Sequence, residues 1–247
     1  MTLHALAKEA FEAFTNVDGR LVRSLQTVVT RPGALTVAYM SGRRKPFVSP
    51  VSLFLIVNVL FFAFESITGG SVFTTPLSAH LDTQPWSELA RPWVAAELRQ
   101  RGTSLAQFAP EFDRQVALNA RSLIIVMAVA FGAVLTLVFR GSGRLVVAHA
   151  AFALHLYTFL LMAFCVATAV PPLNTLLGRR FGSDELDHVL SIGLLAACSV
   201  YLFIAVAAVY GVRGLQRAVK TLLLASAAAL LVLGYRFALF VLTLYGV

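Results

Sequence analysis

Five stretches of this chain are long and apolar enough to cross a lipid bilayer, and they restrict its fold more than any motif does. They lie at 47–67, "FVSPVSLFLIVNVLFFAFESI"; 122–139, "SLIIVMAVAFGAVLTLVF"; 148–170, "AHAAFALHLYTFLLMAFCVATAV"; 188–210, "HVLSIGLLAACSVYLFIAVAAVY"; and 221–245, "TLLLASAAALLVLGYRFALFVLTLY". A helical span needs about 20 mainly apolar residues. Inside lipid every backbone N–H and C=O must find its partner within the structure, which makes such runs helices. The expected fold class is all-α, a polytopic membrane helix bundle with about five transmembrane helices over 47–247. Composition agrees: 58% of residues are apolar and 13% charged, against about 45–50% and about 25% in soluble domains. Cys165 and Cys198 lie within these runs and form no CxxC. They read as small buried hydrophobes, neither a metal set nor a disulfide framework.

The net charge of +8 would suggest nucleic acid in a soluble protein. Here the charges sort by side of the membrane instead, and no nucleic-acid partner is expected. With the N-terminus cytoplasmic, segments 1–46, 140–147 and 211–220 hold twelve cations and three acids, Glu9, Glu12 and Asp18. The opposite segments, 68–121 and 171–187, hold seven cations and eight acids. This is the asymmetry of the positive-inside rule, so a cytoplasmic N-terminus and a C-terminus outside are expected. The cluster Arg43, Arg44 and Lys45 then anchors the inner end of the first span. Each cation attracts anionic headgroups by about 1 kcal/mol. Together with Arg31, these residues are the candidate sites for anionic lipid or a protein partner.

Residues 1–46 read as cytoplasmic amphipathic helices lying on the membrane surface. The first thirty lack an apolar core followed by a small-residue cleavage site, so a secretory signal is not expected. In "MTLHALAKEAFEAF", Leu3, Leu6, Ala7, Ala10, Phe11 and Phe14 share a face. In "GRLVRSLQTVVT", with Asp18 as cap, Leu21, Val22, Leu25, Val28 and Val29 form one stripe. A third short helix follows, capped by Thr30 or Arg31 with Pro32 in its first turn, and Gly42 suits its left-handed stop. The segment 68–121 is expected to hold a short helical stretch interrupted by Pro92, with Trp86 and Trp93 in the headgroup zone. A helix opened by Pro110, with Glu111 and Asp113 in its first turn, should run unbroken into the second span.

Polar residues inside the spans are the other candidates. Arg236 interrupts the fifth, where a mid-bilayer arginine costs about 2.5–3.5 kcal/mol unless it snorkels or pairs. Glu65 is the acid within the first span. Along their helices Glu65 stands about 27 Å and Arg236 about 22 Å from the inner end, so an ion pair between them is one expected arrangement. His149 and His155 are six residues apart, which turns their rings about 120° from each other and argues against a shared metal. A histidine bonded to a neighbouring helix is the simpler reading. Asn58 can bond across helices in the first span. No phosphate-binding loop, HExxH or GxSxG appears, and no cofactor or metal is expected.

At "GRLVRSLQTVVTRPGALTVAYMSGRRKPFVSPVSLFLIVNVLFF" the chain resembles a bacterial integral membrane family called domain of unknown function 3667. The resemblance rests on Thr30, Arg31, Pro32, Gly33, Tyr39, Gly42, Arg43, Arg44 and Pro50. Farther on, His149, Phe152, His155 and Phe159 resemble the family's two-histidine helix, and "AVYG" at 208–211 a tyrosine–glycine step. Many relatives begin with a cysteine zinc ribbon, which this chain lacks. An aromatic residue expected three places before the first histidine is Val146 here. The resemblance implies membrane class and topology, and no activity. Three functions fit these readings. The first is a non-enzymatic scaffold or regulator binding anionic lipid or a partner, which includes a homo-oligomer. The second is a small-molecule or lipid transporter using Arg236, Asn58 and His155. The third is a lipid-modifying membrane enzyme, the weakest because no nucleophile–base set is visible. An odd number of spans without an internal repeat argues mildly against a two-fold repeat transporter.

Overall fold

Four of the five apolar runs become helices longer than themselves, and the first becomes Pro50–Thr68. The computed structural model describes residues 19–68, 75–178 and 182–246, so the readings of residues 1–14 and of Asp18 lie outside the described residues. The chain forms α1 (19–30), α2 (Ala34–Met40), α3 (Pro50–Thr68), α4 (Leu77–Asp82), α5 (Ser87–Arg101), α6 (Leu105–Val138), α7 (Val146–Leu176), α8 (Ser183–Tyr210) and α9 (Gly214–Gly246). No strand occurs among the described residues. Four helices, α3, α7, α8 and α9, are long and apolar enough to cross a membrane, and α6 makes a fifth if its two bent segments form one span. The chain is a multi-pass, all-α membrane bundle.

α7 is the central element. It packs against α2, α3, α6 and α8, while α9 closes the far side between α6 and α8. Among the largest fully buried side chains are Phe54, Phe61, Phe131, Phe152 and Phe240, while Val59, Ile192 and Leu230 face outward. Lipid is as apolar as these outward side chains, so helix association depends on close packing and on polar ties. α7 carries apolar residues on every face, as a helix surrounded by others should. It also runs past Pro171 and Pro172, beyond the end of its apolar run.

Three expectations about the region before the second span change. Pro92 lies inside α5 without interrupting it. Pro110 does not open α6, which starts five residues earlier at Leu105, where the Gln107 amide oxygen accepts the Ser104 N–H at 3.4 Å in a capping box. α6 is also not straight. It bends by 52° between Leu105–Ala120 and Ile124–Val138. At the bend the Tyr235 hydroxyl donates to the Ala120 carbonyl at 2.7 Å, and the Asn119 amide donates to Thr243 Oγ1 at 3.0 Å. A side chain bonded into a helix ladder is a recognised cause of a kink.

Of the described N-terminal helices, α2 packs closely against the bundle. The turn at Arg31, Pro32 and Gly33 reverses the chain, and α2 packs between α7 and α8 with Leu35, Thr36 and Ala38 buried. α2 begins at Ala34, with Gly33 as its N-cap at φ +84°. A Cβ on Gly33 would meet the Ala205 Cα at 3.0 Å and carbonyl oxygen at 3.1 Å. Only glycine allows both this dihedral and this approach. Thr36 reaches His155, nine residues or about 14 Å into α7. On α1 the buried stripe is Ser24 and Val28, while Val22 and Val29 are exposed. The Ser24 hydroxyl accepts the Val48 N–H at 3.0 Å, and Arg20 donates to the Phe47 carbonyl at 2.6 Å. α1 and α2 thus form a helical hairpin clamped to the start of α3, with α2 packed against α7 and α8.

Candidate functional site at the basic end

The segment after α2, the α6–α7 loop and the start of α9 bring several of the chain's cations to one end. Arg44 lies over the Tyr39 ring at 4.4 Å, Arg217 over Phe203 at 3.6 Å and Lys220 over Phe139 at 4.3 Å. Arg144 donates to the Val209 carbonyl at 3.1 Å and Arg217 to the Phe203 carbonyl at 2.7 Å. Aromatic faces and backbone carbonyls orient these cations without cancelling their charge. No carboxylate among the described residues pairs with any of them.

Behind this surface both histidines are buried. His149 Nδ1 shares a hydrogen bond of 2.7 Å with the Tyr210 hydroxyl. The Tyr210 ring stacks on Phe139 at 3.6 Å, with the ring planes nearly parallel at 4°. His155 Nδ1 shares a bond of 2.9 Å with Thr36 Oγ1, 119 residues away in sequence. The first pair ties α7 to the end of α8, and the second ties α7 to the hairpin. Each histidine therefore serves a different neighbour, and among the described residues no group of three or more His, Cys, Asp or Glu could hold a metal.

The sequence candidates are dispersed by the fold. Arg44 borders a cavity of about 260 Å³ that it shares with Tyr39, Met40, Arg144, Leu145 and Ala148. Arg43 is exposed, with Nε donating to Ser41 Oγ at 3.3 Å; Lys45 and Arg31 are exposed too, Arg31 in the hairpin turn. Asn58 Oδ1 is buried beside Val59, Phe62 and Ser66, without the expected bond to another helix among the described residues. Glu65 is buried within electrostatic reach of Cys165 and Tyr235. Arg236 follows Tyr235 on α9 and lies within reach of His80. Neither Glu65 nor Arg236 stands alone. One face of α9 beside Arg236 packs on the α4–α5 region: Trp86 and Trp93 both pack on Phe237, at 5.4 and 6.1 Å.

The sequence reading missed Arg144, Tyr210 and Thr36 as partners. Arg144 had a signal of its own, since a cation immediately before a helix start opposes the helix dipole and needs another reason to be there. Tyr210 stood in the tyrosine–glycine step without an assigned contact. Nothing in local sequence marks Thr36.

No curated protein and no solved structure matches the chain. Residues 18–62, which cover the α1–α2 hairpin, the basic cluster and the first part of α3, match the family described as "Protein of unknown function (DUF3667)".

Proposed function

We propose that this protein is a non-enzymatic scaffold or regulator of a bacterial inner membrane that binds anionic headgroups through its basic end. In this reading the N-terminus and basic end are cytoplasmic, and the C-terminus is outside. The observation that carries the reading is the way the cations are held. Aromatic rings and carbonyls fix Arg44, Arg144, Arg217 and Lys220 in place, and no described carboxylate pairs with them. The carrier reading has less support, because His155 is closed off against Thr36. Two mid-bundle grooves are almost wholly apolar, one lined by Ile125, Gly132 and Leu154 and the other by Met162, Val166 and Leu194.

The test is extraction of the full chain into polymer-bounded nanodiscs, followed by lipid quantification. Wild type should carry phosphatidylglycerol and cardiolipin above their share of the bulk membrane. The double variant Arg43→Glu with Arg44→Glu should return the composition to bulk. Identical lipid content in the two proteins overturns the reading. A reporter fused after Val247 tests orientation, and activity in the cytosol would reverse it.

A further inference from the structure

We infer that the cavity between α2 and the α6–α7 loop is a binding site for one phosphoryl group, whether part of a phospholipid headgroup or free in solution. This deepens the basic-end reading and rests on it. Two guanidinium groups from distant segments line the cavity, Arg44 after α2 and Arg144 before α7. Each is positioned in advance, Arg44 by the Tyr39 ring and Arg144 by the Val209 carbonyl. Arginine presents several donors in a rigid fork, so one bond to an orienting group leaves others for a phosphate oxygen.

The start of α7 adds to the cationic field. Its N-cap is Leu145, which supplies no side-chain cap, and the first turn of this 31-residue helix lines the cavity through Val147 and Ala148. Unsatisfied first-turn N–H groups and the helix dipole both favour an anion. Two arginines beside the positive end of a helix, with no carboxylate bordering the cavity, form an arrangement that an anion would complete.

The surroundings suit an amphiphile. Leu145, Val146 and Val147 are 77%, 67% and 58% exposed, and Leu145 and Val147 line the cavity together with the two arginines. Val146 also opens the apolar groove of about 620 Å³ that runs along α7 past Ala150 to Leu154. The cavity itself, at about 260 Å³, is smaller than the about 300–1,000 Å³ of sites that enclose drug-sized ligands. It accommodates a headgroup, and the groove accommodates an acyl chain.

Native mass spectrometry of the full chain in an uncharged detergent tests the site. Phosphatidic acid should bind one per chain, and diacylglycerol, which lacks the phosphoryl group, should not. Arg44→Gln and Arg144→Gln should each weaken the complex at least tenfold. Arg91→Gln, in an ion pair on α5 at the opposite end, should leave it unchanged. Inorganic phosphate that displaces the lipid, with the same dependence on both arginines, supports the site and shows that the phosphoryl group alone suffices; failure to displace it supports the lipid as source. Phosphatidic acid retained within twofold in both variants, or diacylglycerol bound equally well, overturns the inference. If Arg144→Gln unfolds because the Val209 tie is lost, the exposed Arg44→Gln decides. Failure here is separable from failure of the basic-end reading: lipid enrichment in nanodiscs persists if only the cavity assignment is wrong, and disappears from wild type if the wider reading is wrong.

Discussion

The two ends of the bundle handle charge in opposite ways. At the basic end, arginines and lysines rest on rings and carbonyls, and no described carboxylate answers them. At the opposite end, Arg91 pairs with Glu88 at 3.2 Å and Arg101 with Glu97, both along α5. Asp113 accepts the Leu77 N–H at 2.8 Å and so caps α4 rather than its own helix. That end is held by an aromatic box: His80 stacks on Phe240 at 4.7 Å, and the Trp86 indole N–H donates to His80 Nδ1 at 3.1 Å. One end is internally neutralised and the other is left positive. Uncompensated charge held in fixed geometry is a cost that a bound anion or an anionic membrane surface can offset, whereas an ion-paired end needs no ligand.

The largest expected effect lies at the hairpin. Gly33→Val forces a β-branched residue to positive φ and into the Ala205 backbone, which should cost about 4 kcal/mol. Hydrogen exchange over residues 31–40 should then accelerate, while α9 stays protected. Equal protection throughout would show that the hairpin and bundle are one cooperative unit, or that the approach relaxes.

Acid should strike the opposite end first. Burial, helped by the nearby positive charge of Arg236, holds the His80 pKa down at about 4 against an ordinary 6.5. A histidine with a lowered folded pKa stabilises the fold fully above the unfolded value. That contribution declines as pH falls from about 6.5 to about 4, because the unfolded state takes the proton first. The full loss is about 3 kcal/mol. Thermal unfolding in detergent between pH 7 and 4 should show this slope in wild type, and His80→Phe should flatten it. The same slope in both proteins would assign the acid sensitivity elsewhere.

Thr36→Val leaves the buried His155 imidazole without its partner, at a cost of about 2 kcal/mol. Hydrogen exchange in α2 should rise more than in α8. Smallest is Arg217→Gln, which removes a cation from the Phe203 face. It should lower stability by about 0.5–1 kcal/mol, and a drop comparable with that of Thr36→Val would mean that the cations support the fold more than the surface charge.

The spans were legible because membrane insertion is decided segment by segment, from apolarity and length. Thus 47–67 became Pro50–Thr68, and 221–245 became Gly214–Gly246. The helix ends were less legible because hydrogen bonding continues beyond the apolar run, as at Pro171 and Pro172. Gly42 was readable as a left-handed stop, and its φ is +76°. The candidate site was half readable: Arg44 stood out in its cluster, whereas Arg144, 100 residues later, did not.

Sequence by itself determined that this chain is an all-helical membrane bundle with its positive charge at one end, since solvent preference and helix formation are local properties. The tertiary structure alone decided that α2 packs between α7 and α8, that Thr36 meets His155, that Tyr235 ties into α6 at its bend, and that Arg44 and Arg144 share a cavity. Those contacts join segments far apart in the chain. They depend on which helix faces meet, and periodicity within any single helix carries no information about that.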